Sequence, residues 1–217
     1  MVGARRGEQV SATREALLDA AEKLFAEYGV HEVGNRQITM AAGQGNNAAI
    51  SYHFGGKADL VRAIGRKHAV QIEVGRVRML EEIKGSPNLR DWVAIAVRPV
   101  TEYLEALGTP SWYARFIAQV TADPALRADM AETYREASPS VNALQEGLER
   151  CLPADLPPEV RDERAAMTRH LITQMTAERE RSLADGEPTS RSSWRGVANG
   201  LIDAIVAVWE APVTRED

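Results

Sequence analysis

Apolar residues recur at three- and four-residue spacing along nearly the whole chain, and beta-branched alternating runs bounded by turn residues are missing. That period keeps one face of a helix buried but gives a strand no constant face, so it predicts an all-α chain. The first helix is predicted over 11–28 on the stripe Leu17, Ala21, Leu24, Phe25 and Tyr28, with Ser11 as N-cap and Gly29 at its C-terminal end. Two short helices follow over 35–42 and 46–52, separated by Gly43-Gln44-Gly45 and closed by Gly55-Gly56. A long helix starts at Lys57 on Leu60, Ile64, His68 and Ile72, hands over to Val77, Leu80 and Ile83, and stops at Gly85-Ser86-Pro87.

The rest of the chain is punctuated in the same way. Val93, Val97, Val100, Leu104 and Leu107 mark a helix that Pro99 is expected to kink. Trp112, Tyr113, Phe116, Ile117 and Val120 make a short aromatic helix, Asp123-Pro124 a turn and restart, and Val141, Leu144 and Leu148 a helix after Pro139. Two long helices close the chain, over 159–183 and 192–209. Met167, Leu171, Ile172 and Met175 stripe the first of them. Trp194, Val197, Ala198, Leu201, Ile205, Val208 and Trp209 cover one face of the second.

Several functions are excluded by what the residues lack. The single cysteine, Cys151, permits no intramolecular disulfide and no cysteine cluster for a metal. His31, His53, His68 and His170 show no metal-ligand spacing, and no base accompanies Cys151. Gly43-Gln44-Gly45-Asn46-Asn47-Ala48 matches a Gly-x-Gly-x-x-Ala fingerprint, but neither a preceding strand nor a beta-alpha alternation supports a dinucleotide site. We therefore expect no enzyme, no cofactor and no metal. No stretch approaches the roughly 18 apolar residues of a membrane span, and the expected location is cytoplasmic.

Three short helices with a glycine turn between the second and third outline a helix-turn-helix unit, whose last helix enters the major groove of DNA. The detail lies in Leu18 to Gly29, spaced Leu-x-x-Ala-x-x-Leu-Phe-x-x-x-Gly, then Ile38, Ala42-Gly43, Tyr52-His53-Phe54, Lys57 and Leu60. These residues resemble the N-terminal domain of tetracycline-repressor (TetR) family transcriptional regulators over about residues 11–65. The resemblance implies a DNA-binding head, a ligand cavity in the helical body and a homodimer. It matches Tyr52, His53 and Lys57 to backbone-contacting positions and the helix from Asn46 to the recognition helix.

The candidate DNA-binding residues are Arg36, Gln37, Gln44, Asn46, Asn47, Ser51, Tyr52, His53 and Lys57. Asn46, Asn47 and Ser51 carry the short polar groups that read base edges or phosphates, and Tyr52 and Lys57 suit phosphate anchors. Bland readings stand beside these: Asn46 and Asn47 as turn residues, His53 as a buried or capping group, and Arg5 and Arg6 as a solvated terminus in place of a minor-groove arm. The chain departs from the usual family pattern in one extra residue within Gln44-Gly45-Asn46-Asn47, in Thr39 where a small apolar residue is usual, and in Gly56 where a capping serine is usual.

The expected organisation is a flexible arm over 1–10, the head over 11–56, a connecting helix over 57–84 and a ligand-binding and dimerisation domain over 85–217. Trp92, Arg98, Tyr103, Trp112, Tyr113, Phe116, Tyr134, Met167 and His170 are candidates to line the ligand cavity. Leu171, Met175, Trp194, Val197, Leu201, Ile205 and Trp209 are candidates for a two-fold four-helix interface. The expected function is a ligand-responsive regulator, most simply a repressor released from a near-palindromic operator by a small-molecule effector. The rivals are a helical protein-interaction adaptor and an enzyme of unrecognised chemistry. A net charge of -5 argues at first against an acidic partner, but residues 1–80 hold 11 Lys and Arg against 8 Asp and Glu, and residues 81–217 hold 15 against 23. The acidity belongs to the body.

Overall fold

The computed structural model describes the backbone of residues 2–214 and the side chains of residues 7–214. Among the described residues all regular structure is helical: α1 Val2–Tyr28, α2 Asn35–Ala41, α3 Ala49–Phe54, α4 Lys57–Glu82, α5 Leu89–Leu107, α6 Tyr113–Ala122, α7 Pro124–Ala137, α8 Ser140–Cys151, α9 Pro158–Asp185 and α10 Trp194–Glu210. The three- to four-residue period carries through to the fold. Residues 2–10, expected as a flexible arm, continue α1 instead, and Ser11 lies inside that helix and is not its cap. The Arg5 and Arg6 side chains lie outside the described residues.

The chain divides into two compact units, Met1–Ala69 with Trp112–Glu136, and Val70–Ser111 with Ala137–Asp217. This differs from the expected domains in two respects. The boundary falls inside α4, and α6 with α7 belongs to the head unit and not to the body.

In the first unit α1 packs on α6 and α2. Leu17, Leu18, Phe25, Ile38, Ile50, Leu60, Ile64 and Phe116 are all essentially without solvent exposure, and the Phe25 and Phe116 rings stack with centroids 6.3 Å apart. A polar pair lies within the same core. His68 Nε2 sits 2.8 Å from Glu22 Oε2, both residues are buried, and the His68 ring stacks on Tyr113 at 4.1 Å. Asp123 caps α7 by accepting from the N–H groups of Ala125 and Leu126 at 2.8 and 3.0 Å. The Leu126 N–H, and after it the His31 ring, hold the Asp123 carboxyl below the usual carboxylate range.

In the second unit α10 packs on α5 and α9, and α5 on α8. Pro99 sits within α5, which continues on both sides of it. Ser193 is the N-cap of α10, accepting from Gly196 N–H at 3.0 Å. The buried Arg164 of α9 caps the other end, donating to the carbonyls of Trp209 at 2.8 Å and Ala211 at 2.5 Å. A cation at the helix C-terminus satisfies carbonyls that α10 itself leaves unpaired.

The expected dimer face of α10 requires correction. Trp194, Val197, Leu201, Ile205 and Trp209 are buried within the unit, where four of them join Val93, Val97 and Ile202 in one core cluster. An amphipathic helix has one wide apolar face, and α10 spends it on α5 and α9. Of the seven candidates only Leu171, half-buried, and Met175, exposed, retain surface.

Candidate nucleic-acid interface

The interface is built from α2, the turn over 42–48 and α3, above Ile38 and Ile50, which are fully buried. Gly43 adopts a φ of 67°, a left-handed conformation that L side chains resist and that lets the chain leave α2. The turn then bonds back to α2, with Gly43 N–H donating to Met40 O at 3.1 Å and Gln44 N–H to Thr39 O at 2.8 Å.

The recognition helix begins later than expected, at Ala49 and not at Asn46. Asn46 explains the shift. Its carbonyl accepts from Ala49 N–H at 3.1 Å and its side-chain Oδ1 from Ala48 N–H at 2.9 Å, so it is a turn residue ahead of the helix, whose N-cap position is Ala48. Asn47 Oδ1 accepts from the hydroxyl of Thr39 at 3.2 Å. Both asparagines remain exposed.

Arg36, Gln37, Asn46, Asn47, Ser51 and Tyr52 are exposed together on this unit, whereas Gln44, His53 and Lys57 are half-buried. Gln37 also closes α2, its Oε1 accepting from Gly34 N–H at 2.7 Å, and Gln44 Nε2 donates to Ala42 O at 3.2 Å. Tyr52 is 77% exposed and touches the His53 ring edge-on at 4.9 Å, so its phenol projects from α3. A large aromatic left in water beside a polar helix face suits a surface that is covered when a partner binds. Residues 41–56 contain no Lys, Arg, Asp or Glu except Lys-free glycine and amide positions, so the turn and α3 offer amides, hydroxyls and methyls, and Arg36 of α2 brings the formal charge to this surface.

Lys57 is placed differently from a phosphate anchor. Its ammonium donates to the Val30 carbonyl at 2.9 Å and ties α4 to the loop after α1. A hydrogen bond from a charged group that is partly screened contributes about 1–2 kcal/mol, so Lys57→Met should lower the Tm of the chain by several degrees. A Lys57→Met protein that melts unchanged but loses DNA affinity would return the ammonium to the phosphate role. One cation near this surface escaped the sequence reading: Arg14 of α1 lies over the Phe54 ring at 4.9 Å, beside the end of α3. That contact joins residues 40 positions apart, beyond the reach of any local sequence signal.

The nine residues expected to line a ligand cavity are split. Trp112, Tyr113, Phe116 and Tyr134 belong to the head unit. There Phe116 stacks on Phe25, Tyr113 on His68, the Tyr113 and Tyr134 hydroxyls bond each other, and Lys23 and Arg115 both lie over the Trp112 ring. In the second unit Trp92 is core, packed with Ile95, Leu144 and Met79. Arg98 lines a cleft of about 350 Å³ with Thr101, Glu105 and Trp194. Met167 and His170 are exposed on α9, and Tyr103 of α5 is half-buried. The aromatic cluster in the sequence is thus largely core. Large aromatic side chains bury the most area per residue and mark either use equally.

Residues 17–64 match the family model of bacterial regulatory proteins, tetR family. The HTH-type transcriptional repressor AcnR of Corynebacterium glutamicum is 29% identical over 94 residues, 41% of this chain and 50% of AcnR. The HTH-type transcriptional repressor Rv1474c of Mycobacterium tuberculosis is 30% identical over 92 residues, 40% of this chain and 49% of that protein. The chain thus spans about half the length of these curated relatives. Among solved structures, an HlyIIR mutant protein superposes with a TM-score of 0.56 at 17% identity, covering 93% of this chain and 99% of that one. A TetR family transcription regulator from Marinobacter aquaeolei VT8 superposes at 0.54 with 16% identity, covering 94% and 96%. These two likenesses show a shared fold.

Proposed function

We propose, from the premise that this chain belongs to the tetR family of bacterial regulatory proteins, that it is a DNA-binding transcriptional repressor. The observation that carries the reading is the joint exposure of Gln37, Asn46, Asn47, Ser51 and Tyr52 on a helix-turn-helix whose apolar residues are buried beneath. The relatives named above are repressors, which supports repression over activation.

The finer mechanism follows from what a repressor needs. A homodimer presents two recognition helices to successive major grooves about 34 Å apart, which selects a near-palindromic operator. With the wide face of α10 buried, the surface that suits a second copy is on α9, where Met167, Leu171 and Met175 repeat every four residues and Met167 and Met175 are 47% and 40% exposed. A small-molecule effector that binds the second unit releases the DNA if it prefers the conformation that does not fit the operator. The Arg98 cleft is the proposed place for it, and its lining by Arg98, Arg195, Glu102 and Glu105 suits a polar effector.

A mobility-shift titration on the intergenic DNA adjoining the protein's own gene tests the reading. Retardation of a discrete fragment at nanomolar protein is the expected result, and failure to retard any such fragment at low salt overturns it. Salt provides a second check. With about three phosphates neutralised per subunit, log Kd for a dimer should change with log salt with a slope of roughly 5 in magnitude. A much steeper slope would place the basic surface outside the head.

A further inference from the structure

We propose that Thr39 is a positioning residue for DNA recognition, its buried hydroxyl holding Asn47 in the orientation that meets the operator. The inference rests on the DNA-binding reading above. Thr39 has no solvent exposure, so its hydroxyl must find a partner inside the protein. Its one proton has two acceptors in reach, the Arg36 carbonyl at 3.0 Å and Asn47 Oδ1 at 3.2 Å, and can fully serve only one of them at a time. The carbonyl one turn back along α2 would satisfy the hydroxyl by itself. Donation to Asn47 therefore competes with that bond, and when it is made its consequence falls on Asn47, an exposed side chain that would otherwise sample its rotamers in water.

The same residue also holds the turn through its backbone, since Thr39 O accepts from Gln44 N–H at 2.8 Å. Two departures from the usual family pattern, a threonine for a small apolar residue and one extra turn residue, are thereby joined: the longer turn is pinned to α2 at Gln44 by the main chain and at Asn47 by the side chain. With Oδ1 turned inward, Asn47 presents its amide N–H groups outward. Those are donors. They suit a phosphate oxygen or the acceptor edge of guanine or thymine, whereas the two-bond pairing of an amide with adenine needs its oxygen as well.

The test uses the full chain and a duplex enriched from a random-sequence library by the wild-type protein, with affinity read by fluorescence anisotropy and stability by thermal melting. Thr39→Val keeps the buried volume and removes the hydroxyl; the expected result is a Tm close to wild type with affinity about tenfold weaker. Thr39→Ser keeps the hydroxyl and loses a buried methyl, so it should melt lower yet bind within about twofold of wild type. In an Asn47→Ala background, Thr39→Val should add no further loss, because the group it positions is gone. Wild-type binding by Thr39→Val, a Thr39→Ser protein as weak as Thr39→Val, or the full loss repeated on Asn47→Ala would each overturn the proposal. A wild-type protein that enriches no sequence overturns the DNA-binding reading and this inference together, whereas enrichment with unaffected Thr39→Val binding overturns this inference alone.

Discussion

Replacing Phe116 by alanine is expected to destabilise the head unit by about 3–5 kcal/mol, roughly 10 °C in Tm for a chain of this size. Phe116 has no exposed surface and stacks on Phe25 across the α1 and α6 contact. Truncation removes the transfer free energy of the ring and leaves a cavity between two helices that can close only by shifting α6 toward α1. Since α1 also packs on α2, DNA binding should weaken as the melting range approaches the assay temperature. Val74→Ala is the control: at 68% exposure it should change stability by no more than about 0.5 kcal/mol. Thermal melting of the three proteins decides the matter. A Phe116→Ala protein that melts with wild type would return Phe116 to the expected ligand cavity.

Gly147→Ala should be the most damaging single-carbon change in the second unit. The new Cβ would stand 2.1 Å from the Trp92 ring, far inside contact distance. The ring has little freedom to withdraw: Trp92 is 4% exposed, its indole N–H donates to Ser86 O at 3.0 Å, and Arg150 lies over its face at 5.4 Å. Alanine gains about 1 kcal/mol over glycine in a helix interior, but overpacking against a fixed ring costs about 3 kcal/mol or more, so the clash wins. A net loss of about 2 kcal/mol lowers Tm by roughly 4–8 °C. Gly65→Ala is the informative comparison. Its Cβ would meet Met130 Sδ at 2.3 Å, but that is the far end of a flexible side chain, which can rotate away at small cost. Equal losses from both substitutions would mean that α8 and α5 separate as readily as a methionine turns.

Much of the head was legible before any coordinates. Leu17, Ala21, Phe25, Ile38 and Leu60, which the period or the family resemblance points inward, are buried, Leu24 of the same stripe is half-buried, and Tyr28 at its end is 60% exposed. Gly29 and Gly43 stand where the chain needs a positive φ, and both have it. Tyr52 and Ser51 project from α3 as surface residues. The start of α3 falls at Ala49 because Asn46 forms a turn ahead of the helix through its carbonyl and Oδ1, a role with the same local signature as a first helical residue. Lys57 stands at a helix start, the local signature of a phosphate anchor, while its partner in the fold, Val30 O, lies 27 residues away. Arg14 gave no local signal at all.

The sequence by itself determined the helical class, the glycine-broken turn and the identity of the exposed polar residues, because each depends on interactions within a few positions: the 3.6-residue period, the left-handed tolerance of glycine, the reach of a capping side chain. Only the tertiary structure decided which apolar stripe meets which. It assigned α6 and α7 to the head unit, turned the aromatic run from Trp112 to Phe116 from a supposed ligand wall into packing around α1, and buried the broad face of α10 against α5 and α9. An apolar stripe states that a face must leave water, and its free energy is nearly the same whether the cover is the chain's own core, a ligand or a second copy. The choice among them is made by contacts between residues tens of positions apart.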